Sequence, residues 1–295
     1  MKMSWSKRQK FAGYLFIAPN MLGIIIFFLI PALISFVVMF TDLDFLSKAP
    51  VNFIGLDNFA RVFSDETFYT ALKNTFIFLL AVPVSIAIAV FLAILLNNKI
   101  YLKPILRAMY FMPYITSSVA IAFVWSLLLQ PTSGPINGFL RSVGLADPPR
   151  WLASTETSMY GIDLIMVWYT LGFNMIIYLA ALQEIPTELL EAAKIDGARA
   201  WQTTLRIILP LISPTTFFLL ITGLMGAIKT FGLIQAITQG GPGDSTVVLS
   251  LFVYRTAFSY YELGYASAIA WVLFVIVLVI TAIQWVGQKK WVYSN

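Results

Sequence analysis

The chain has 295 residues, 59% of them hydrophobic and 11% charged, with a mean hydropathy of +0.84 and a net charge of +5. A water-soluble domain carries about 25% charged residues, so a bilayer must cover part of this surface. The chain has no Cys and no His, which excludes disulfides, thiolate metal sites, thiol nucleophiles and the usual general base.

A spanning helix needs roughly 20 mostly apolar residues, and six stretches meet that requirement. The first runs from about Phe11 to Phe40, behind the basic residues Lys2, Lys7, Arg8 and Lys10. It is too long for the apolar region of a signal peptide, and no small-residue cleavage site follows, so it reads as a retained span. Pro31 inside it is tolerated in lipid. The second stretch lies between Lys73 and Lys99, and the third starts near Met109 and fades at Gln130 and Pro131. The fourth covers about Gly161 to Leu182, the fifth begins after Pro210 and runs to about Ile237, and the sixth runs from about Tyr265 to Val286. An open sheet cannot survive in lipid. The expected fold is therefore an all-α integral membrane protein of six transmembrane helices. Residues 1–10 form a tail and residues 11–295 a single transmembrane domain.

Lys and Arg in the loops set orientation. The N-terminal basic residues have no acid among them, nor do Lys99, Lys103 and Arg107 after the second span. Lys289 and Lys290 follow the sixth, whereas the loop after the first holds Asp42, Asp44, Asp57, Asp65 and Glu66. Both termini are then cytoplasmic, which six spans satisfy. The net positive charge reads as topology, with lipid as the surrounding partner and no nucleic-acid surface.

Between the fourth and fifth spans lies a charged cytoplasmic segment, Leu182 to Pro210. Pro186 and Thr187 stand at a helix start, and Glu188 and Glu191 suit the positive end of the helix dipole. Gly197 stops or bends this helix, and a second helical stretch, Ala198 to Leu209, leads into Pro210. The first helix, with Leu189, Leu190, Ala192, Ala193 and Ile195 among its charges, is too short and polar to span a membrane. It is apolar enough to need a partner.

The spacing Glu191-Ala192-Ala193, three residues, Gly197, nine residues, Ile207, one residue, Leu209-Pro210 resembles the EAA loop of ABC importer permeases. YLFIAPNMLGIIIFFLIPALISF, NFIGLDNFARVF, YFMPYITSSVAIAFVWSLLLQPTSGPINGFL and LIQAITQGGPGDSTVVLSLFVYRTAF extend the resemblance over nearly the whole chain. They are similar to the larger-type permease of the carbohydrate importers, the maltose-type and glycerol-phosphate-type systems. The resemblance implies that the loop at about 183–210 holds a coupling helix docked on an ATPase, with Glu191, Ala192, Ala193, Asp196 and Gly197 as the coupling residues. It also implies a second, smaller-type permease, two ATPase subunits and an external sugar-binding protein, in a bacterial or archaeal inner membrane. The very large extracellular domain of the maltose permease itself has no counterpart here.

A phosphate-binding loop needs a Gly-rich turn ending in Gly-Lys-Ser/Thr, and no such string exists. Gly240-Gly241-Pro242-Gly243-Asp244-Ser245-Thr246 lacks the Lys and lies on the outer side; it reads as a tight turn or as a rim contact for the binding protein. This chain is thus expected to bind no cofactor and to be no enzyme, with ATP and Mg on the partner ATPase.

Small or polar residues inside a span face a bundle interior or a cavity. Gly223, Gly226, Ala227 and Thr230 fall at i, i+3, i+4 and i+7, one small-residue face that serves close packing or a substrate path. Thr170, Asn174 and Tyr178 repeat at i, i+4 and i+8 with Phe173 beside them, offering hydrogen bonds and an aromatic face to a sugar. The family resemblance assigns these two faces to the sugar site. Lys229, a cation within a span, either snorkels to the outer interface or faces the pore. An ion-coupled secondary transporter or channel would show acidic residues in mid-span, and none stands there. A membrane-embedded protease or acyltransferase would lack its catalytic groups.

Overall fold

The computed structural model describes residues 5–97 and 102–293. Lys2 and Lys99, and the side chains of Lys7 and Arg8, lie outside the described residues. The elements are α1 (Trp5–Ile24), α2 (Ile30–Val38), α3 (Asp57–Ser64), α4 (Glu66–Leu79), α5 (Ala81–Asn97), α6 (Lys103–Ile115), α7 (Ser118–Leu128) and α8 (Pro135–Ser142). There follow α9 (Ser158–Gln183), α10 (Thr187–Ile195), α11 (Ala200–Thr203), α12 (Leu209–Leu211), α13 (Ser213–Lys229), α14 (Gly232–Ile237), α15 (Leu249–Phe258) and α16 (Leu263–Gln288). Among the described residues there is no strand, only two isolated β-bridges.

Four helices are each long and apolar enough to cross a bilayer: Ala12–Val38, Glu66–Asn97, Ser158–Gln183 and Leu263–Gln288. Two bent pairs bring the number to six if each counts as one span. Lys103–Ile115 meets Ser118–Leu128 at 103°, and Ala200–Leu211 meets Ser213–Lys229 at 61°. The third apolar stretch is therefore not one straight helix. Thr116 is extended (φ −81°, ψ 147°), and its hydroxyl donates to Met112 O at 2.8 Å. Hydroxyl residues in a row compete with the helix for backbone partners in this way, and Thr116-Ser117-Ser118 is such a row. The fifth stretch ends at Lys229, short of Ile237, because Thr230 turns extended (φ −84°, ψ 102°).

Two π-helical turns share one cause. Ile25–Leu29 lies just before Pro31, and Thr204–Ile208 just before Pro210. A proline offers no N–H and crowds the carbonyl four residues back. The helix widens ahead of it, so that Ile30 N–H reaches Ile25 O and Leu209 N–H reaches Thr204 O. Widened turns of this type sit inside α-helices as local bulges.

The chain divides into two compact units, Met1–Ser64 with Val253–Val272, and Asp65–Phe252 with Leu273–Asn295. In the first, buried Asn58 donates to Met39 O and Thr41 O, both at 2.9 Å, and so fixes α3 to the end of α2. Arg61 pairs with Glu262 at 2.7 Å and lies 3.9 Å over the Tyr265 ring. Asp42 accepts the Asn52 backbone N–H at 2.6 Å and its side-chain amide at 3.0 Å. These bonds, the backbone one foremost, hold the Asp42 carboxyl below the usual range.

In the second unit α9 is the central helix, packed along α5 and α6, with α13 set against α5, α4 and α9. Gly172 permits the α6–α9 contact, since a Cβ there would collide with the backbone of Tyr110. The Gly240–Thr246 segment is a tight turn tied to two helices. Asn74 of α4 donates to Val247 O at 3.0 Å and Asp244 O at 3.2 Å, and Ser158 of α9 bonds Ser245 at 2.7 Å. Thr246, fully buried, bonds Thr238 at 2.7 Å.

Candidate functional site

A cavity of about 400 Å³ opens between α9 and α13, with Val82 of α5 and Tyr114 of α6 completing its wall. Seven of the residues expected on the substrate path line it: Thr170, Phe173, Asn174, Gly223, Gly226, Ala227 and Thr230. The two small or polar faces read from the sequence thus meet across one space. Gly226 faces open room, whereas a Cβ at Gly223 would sit 2.7 Å from Val82 Cγ1. One glycine widens the cavity and the other lets α13 approach α5.

Tyr178 and Lys229 lie outside this lining. The Tyr178 ring is wholly buried and its hydroxyl donates to Thr216 at 2.9 Å. It borders a second cavity of about 500 Å³ nearer the 183–210 loop. Lys229, the last residue of α13, is exposed. Tyr114, Met166, Tyr169, Phe218 and Thr222 also line the first cavity. Met166 and Tyr169 share a helical face with Thr170 and Phe173, so extending that stripe one turn would have found them. Tyr114 precedes the break in the third stretch, whose local trace is the hydroxyl row Thr116-Ser117-Ser118, a row that an unbroken span also tolerates.

The wall has two chemical parts. Tyr114 stacks on Phe173 with centroids 4.6 Å apart and lies 5.6 Å from Tyr169. Facing this aromatic part are hydroxyls whose protons are already committed. Thr222 donates to Phe218 O at 2.7 Å and Thr230 to Gly226 O at 2.8 Å. Thr170 donates to Met166 O at 2.9 Å, lies 2.8 Å from the Ser85 hydroxyl, and Asn174 donates to Ser85 at 3.1 Å. A hydroxyl whose proton is committed still offers lone pairs. The threonine side presents acceptors, and the aromatic side presents a flat apolar face with the Tyr114 and Tyr169 hydroxyls, which suits a ligand rich in hydroxyl groups with an apolar side. Among the described residues no Asp, Glu, Lys or Arg lines the cavity.

At the end of the second unit near Tyr178, α10 carries Glu191, Ala192 and Ala193. Ala193 is buried, while Glu191, Ala192 and Asp196 are exposed. Among the described residues no ion pair or side-chain hydrogen bond engages Glu191. The helix closes with Gly197 at φ +74°. Ala198 N–H bonds Ala193 O at 2.9 Å and Gly197 N–H bonds Lys194 O at 3.1 Å, the pair of bonds that makes a Schellman cap. Ile195 is 86% exposed and Leu189 45%, so α10 presents apolar surface outside the bundle.

A helical membrane protein with a cavity in its bundle lined by hydroxyls and aromatic rings and free of Asp, Glu, Lys and Arg, and with a short amphipathic helix beside it, is, in class, a solute permease. The family of binding-protein-dependent transport system inner membrane components matches residues 59–291, and the chain belongs to it. It is a non-catalytic, multi-pass membrane component of an ABC transporter; ATP and Mg act on separate ATPase subunits. The chain is 39% identical to the probable ABC transporter permease protein YesP of Bacillus subtilis, over 99% of this chain and 96% of that one. It is 36% identical to the sn-glycerol-3-phosphate transport system permease protein UgpA of Agrobacterium fabrum, over 97% of each. A bacterial alginate ABC transporter, solved in complex with an alginate pentasaccharide-bound periplasmic protein, matches with a TM-score of 0.84 and 26% identity over 98% of each chain.

Proposed function

We propose that this chain is the larger-type permease of an importer for a sugar, oligosaccharide or glycoside, taken up from an extracytoplasmic binding protein. The observation that carries the reading is the cavity itself. Its hydroxyl-bearing wall and stacked Tyr114–Phe173 pair face one space, surfaces that suit a sugar's hydroxyls and its apolar side. Relatives named for arabinooligosaccharides and lactose, at 33% identity each, support it. Thr170, Phe173, Asn174, Gly223, Gly226, Ala227 and Thr230 line the path in this reading, Tyr178 braces it, and Lys229 stays at the interface.

The same reading gives the chain a smaller-type permease as partner, two ATPase copies, and both termini in the cytoplasm. The exposed α10, with Glu191, Ala192, Ala193, Asp196 and Gly197, then docks on the ATPase. Uptake assays with a panel of labelled glycans test the substrate class. Asn174→Leu removes the donor to Ser85 and fills space, so uptake of the carried sugar should fall while the complex still assembles. Unchanged uptake of every glycan in the Asn174→Leu and Thr230→Leu variants would assign this face to packing alone.

A further inference from the structure

The foot of α13 holds a hydrogen-bond arrangement that neither the cavity nor α10 accounts for. The bundle bends by 61° between Ala200–Leu211 and Ser213–Lys229. In an unbroken helix Pro210 O would accept the N–H of residue 214, but residue 214 is proline and has none. The buried Ser213 hydroxyl donates to Pro210 O instead, at 2.6 Å. One side chain thus spans the bend, with its acceptor on the loop side and its backbone on the α13 side.

The segment after α16 turns back onto this place. Tyr293 N–H donates to Ser213 Oγ at 2.8 Å, across 80 residues of sequence. The Trp291 ring meets Phe217 edge-on at 6.0 Å. Trp291 also borders the cavity lined by Leu205, Leu209, Pro210 and Tyr178. Tyr293 borders a groove shared with Pro186 and Leu189, at the start of α10. The segment therefore adjoins the loop before the bend, the hydroxyl at the bend and the helix after it.

We propose that Trp291–Tyr293 is a positioning element of the hinge through which the 183–210 loop moves α13. The inference rests on the reading of that loop as the ATPase-docking element. With the segment in place, the Ser213 hydroxyl is held toward Pro210 O, and the angle of the bend is fixed. Motion of α10 then passes to α13 and its Gly223–Thr230 face as rigid-body motion. Without the segment the bend yields, and the same motion is spent at Ile212.

The absence of cysteine from the chain allows a direct test. Thr222→Cys places a thiol reporter in the cavity. The whole complex is reconstituted in vesicles and labelled with a charged maleimide, with and without MgATP plus vanadate. In the otherwise unchanged chain the labelling rate should differ between the two conditions. In Ser213→Ala, in Trp291→Ala and on deletion of residues 291–295, that difference should shrink by roughly threefold to tenfold, the size of one lost coupling contact. Ser213→Thr, which keeps the hydroxyl, should restore it, and the ATPase should co-purify with every variant. An undiminished difference in Ser213→Ala and the deletion would overturn the proposal. So would loss of the ATPase from those complexes in proportion to the loss of response, since that marks a structural role. If the deletion fails to assemble, the two point variants decide. No nucleotide-dependent difference in the otherwise unchanged reporter chain would overturn the docking-loop reading and this inference together. A loss confined to the variants leaves that reading standing.

Discussion

Gly172 sets the distance between α6 and α9, and Gly172→Ala measures what that distance is worth. The added methyl would land on the carbonyl group of Tyr110 and the N–H of Phe111. Both obstacles are backbone, so no side chain can swing aside. A carbon and a carbonyl oxygen settle at about 3.3–3.6 Å, so the helices must part by roughly 1 Å or more. Overpacking of a filled core costs about 1–3 kcal/mol, and each kcal/mol lowers Tm by about 2–4 °C in a chain approaching this size. The displacement also reaches the cavity: Tyr114 follows Tyr110 by one turn, and its partner in the 4.6 Å stack, Phe173, adjoins Gly172. The purified complex should therefore melt roughly 2–12 °C lower, and uptake should fall about tenfold if some 1.4 kcal/mol is taken from ligand binding. Gly138→Ala in α8, where a Cβ meets nothing, is the control. Equal melting and uptake for the two variants would refute the close-approach argument.

The two cavity glycines should part company: Gly223→Ala must push Val82 aside and should lower stability by about 1–3 kcal/mol, whereas Gly226→Leu should leave melting unchanged and reduce uptake. Equal behaviour in a paired melting and transport assay would count against the cavity geometry. Glu191→Lys and Gly197→Val should weaken co-purification of the ATPase without affecting membrane insertion, the latter because a β-branched residue at φ +74° is strained; full docking and full transport in both would sink the reading of α10. The lowered Asp42 carboxyl stabilises its loop above the ordinary carboxylate range near pH 4. That stability is lost only as pH falls through the lowered value, so Asn52 amide protection in the parent chain should collapse at a lower pH than an unperturbed Asp would give, and Asp42→Asn should abolish the pH dependence.

The fold was legible wherever the signal is composition. Long apolar runs mark lipid-facing helices because a bilayer leaves the backbone few options, and Ala12–Val38, Ser158–Gln183 and Leu263–Gln288 follow from that alone. The breaks were not legible. Thr116-Ser117 and Thr230 are apolar enough in context to pass as span interior, and whether a hydroxyl bonds its own helix or ends it depends on neighbours distant in sequence. Nor does a proline announce a π turn, since Pro19, Pro31 and Pro210 all sit in helical stretches while widened turns precede only Pro31 and Pro210.

For the cavity, sequence periodicity yielded the faces but not their contents. Seven of the nine residues expected on the path line one space because residues three and four apart share a helix face, and two such faces on neighbouring spans can meet. Tyr178 fits the stripe by spacing yet is spent on Thr216, because α13 crosses α9 at a level that no single helix encodes. Tyr114 enters from a third helix through the approach that Gly172 permits, a tertiary fact carried by one missing side chain. The same logic governs the hinge. Pro214 removes a backbone donor, Ser213 replaces it, and Tyr293 orients the replacement from 80 residues away. What the local pattern cannot express in each case is the partner that a glycine admits or a proline makes necessary. Those two residue types are therefore the places in such a chain where long-range contact is best sought first.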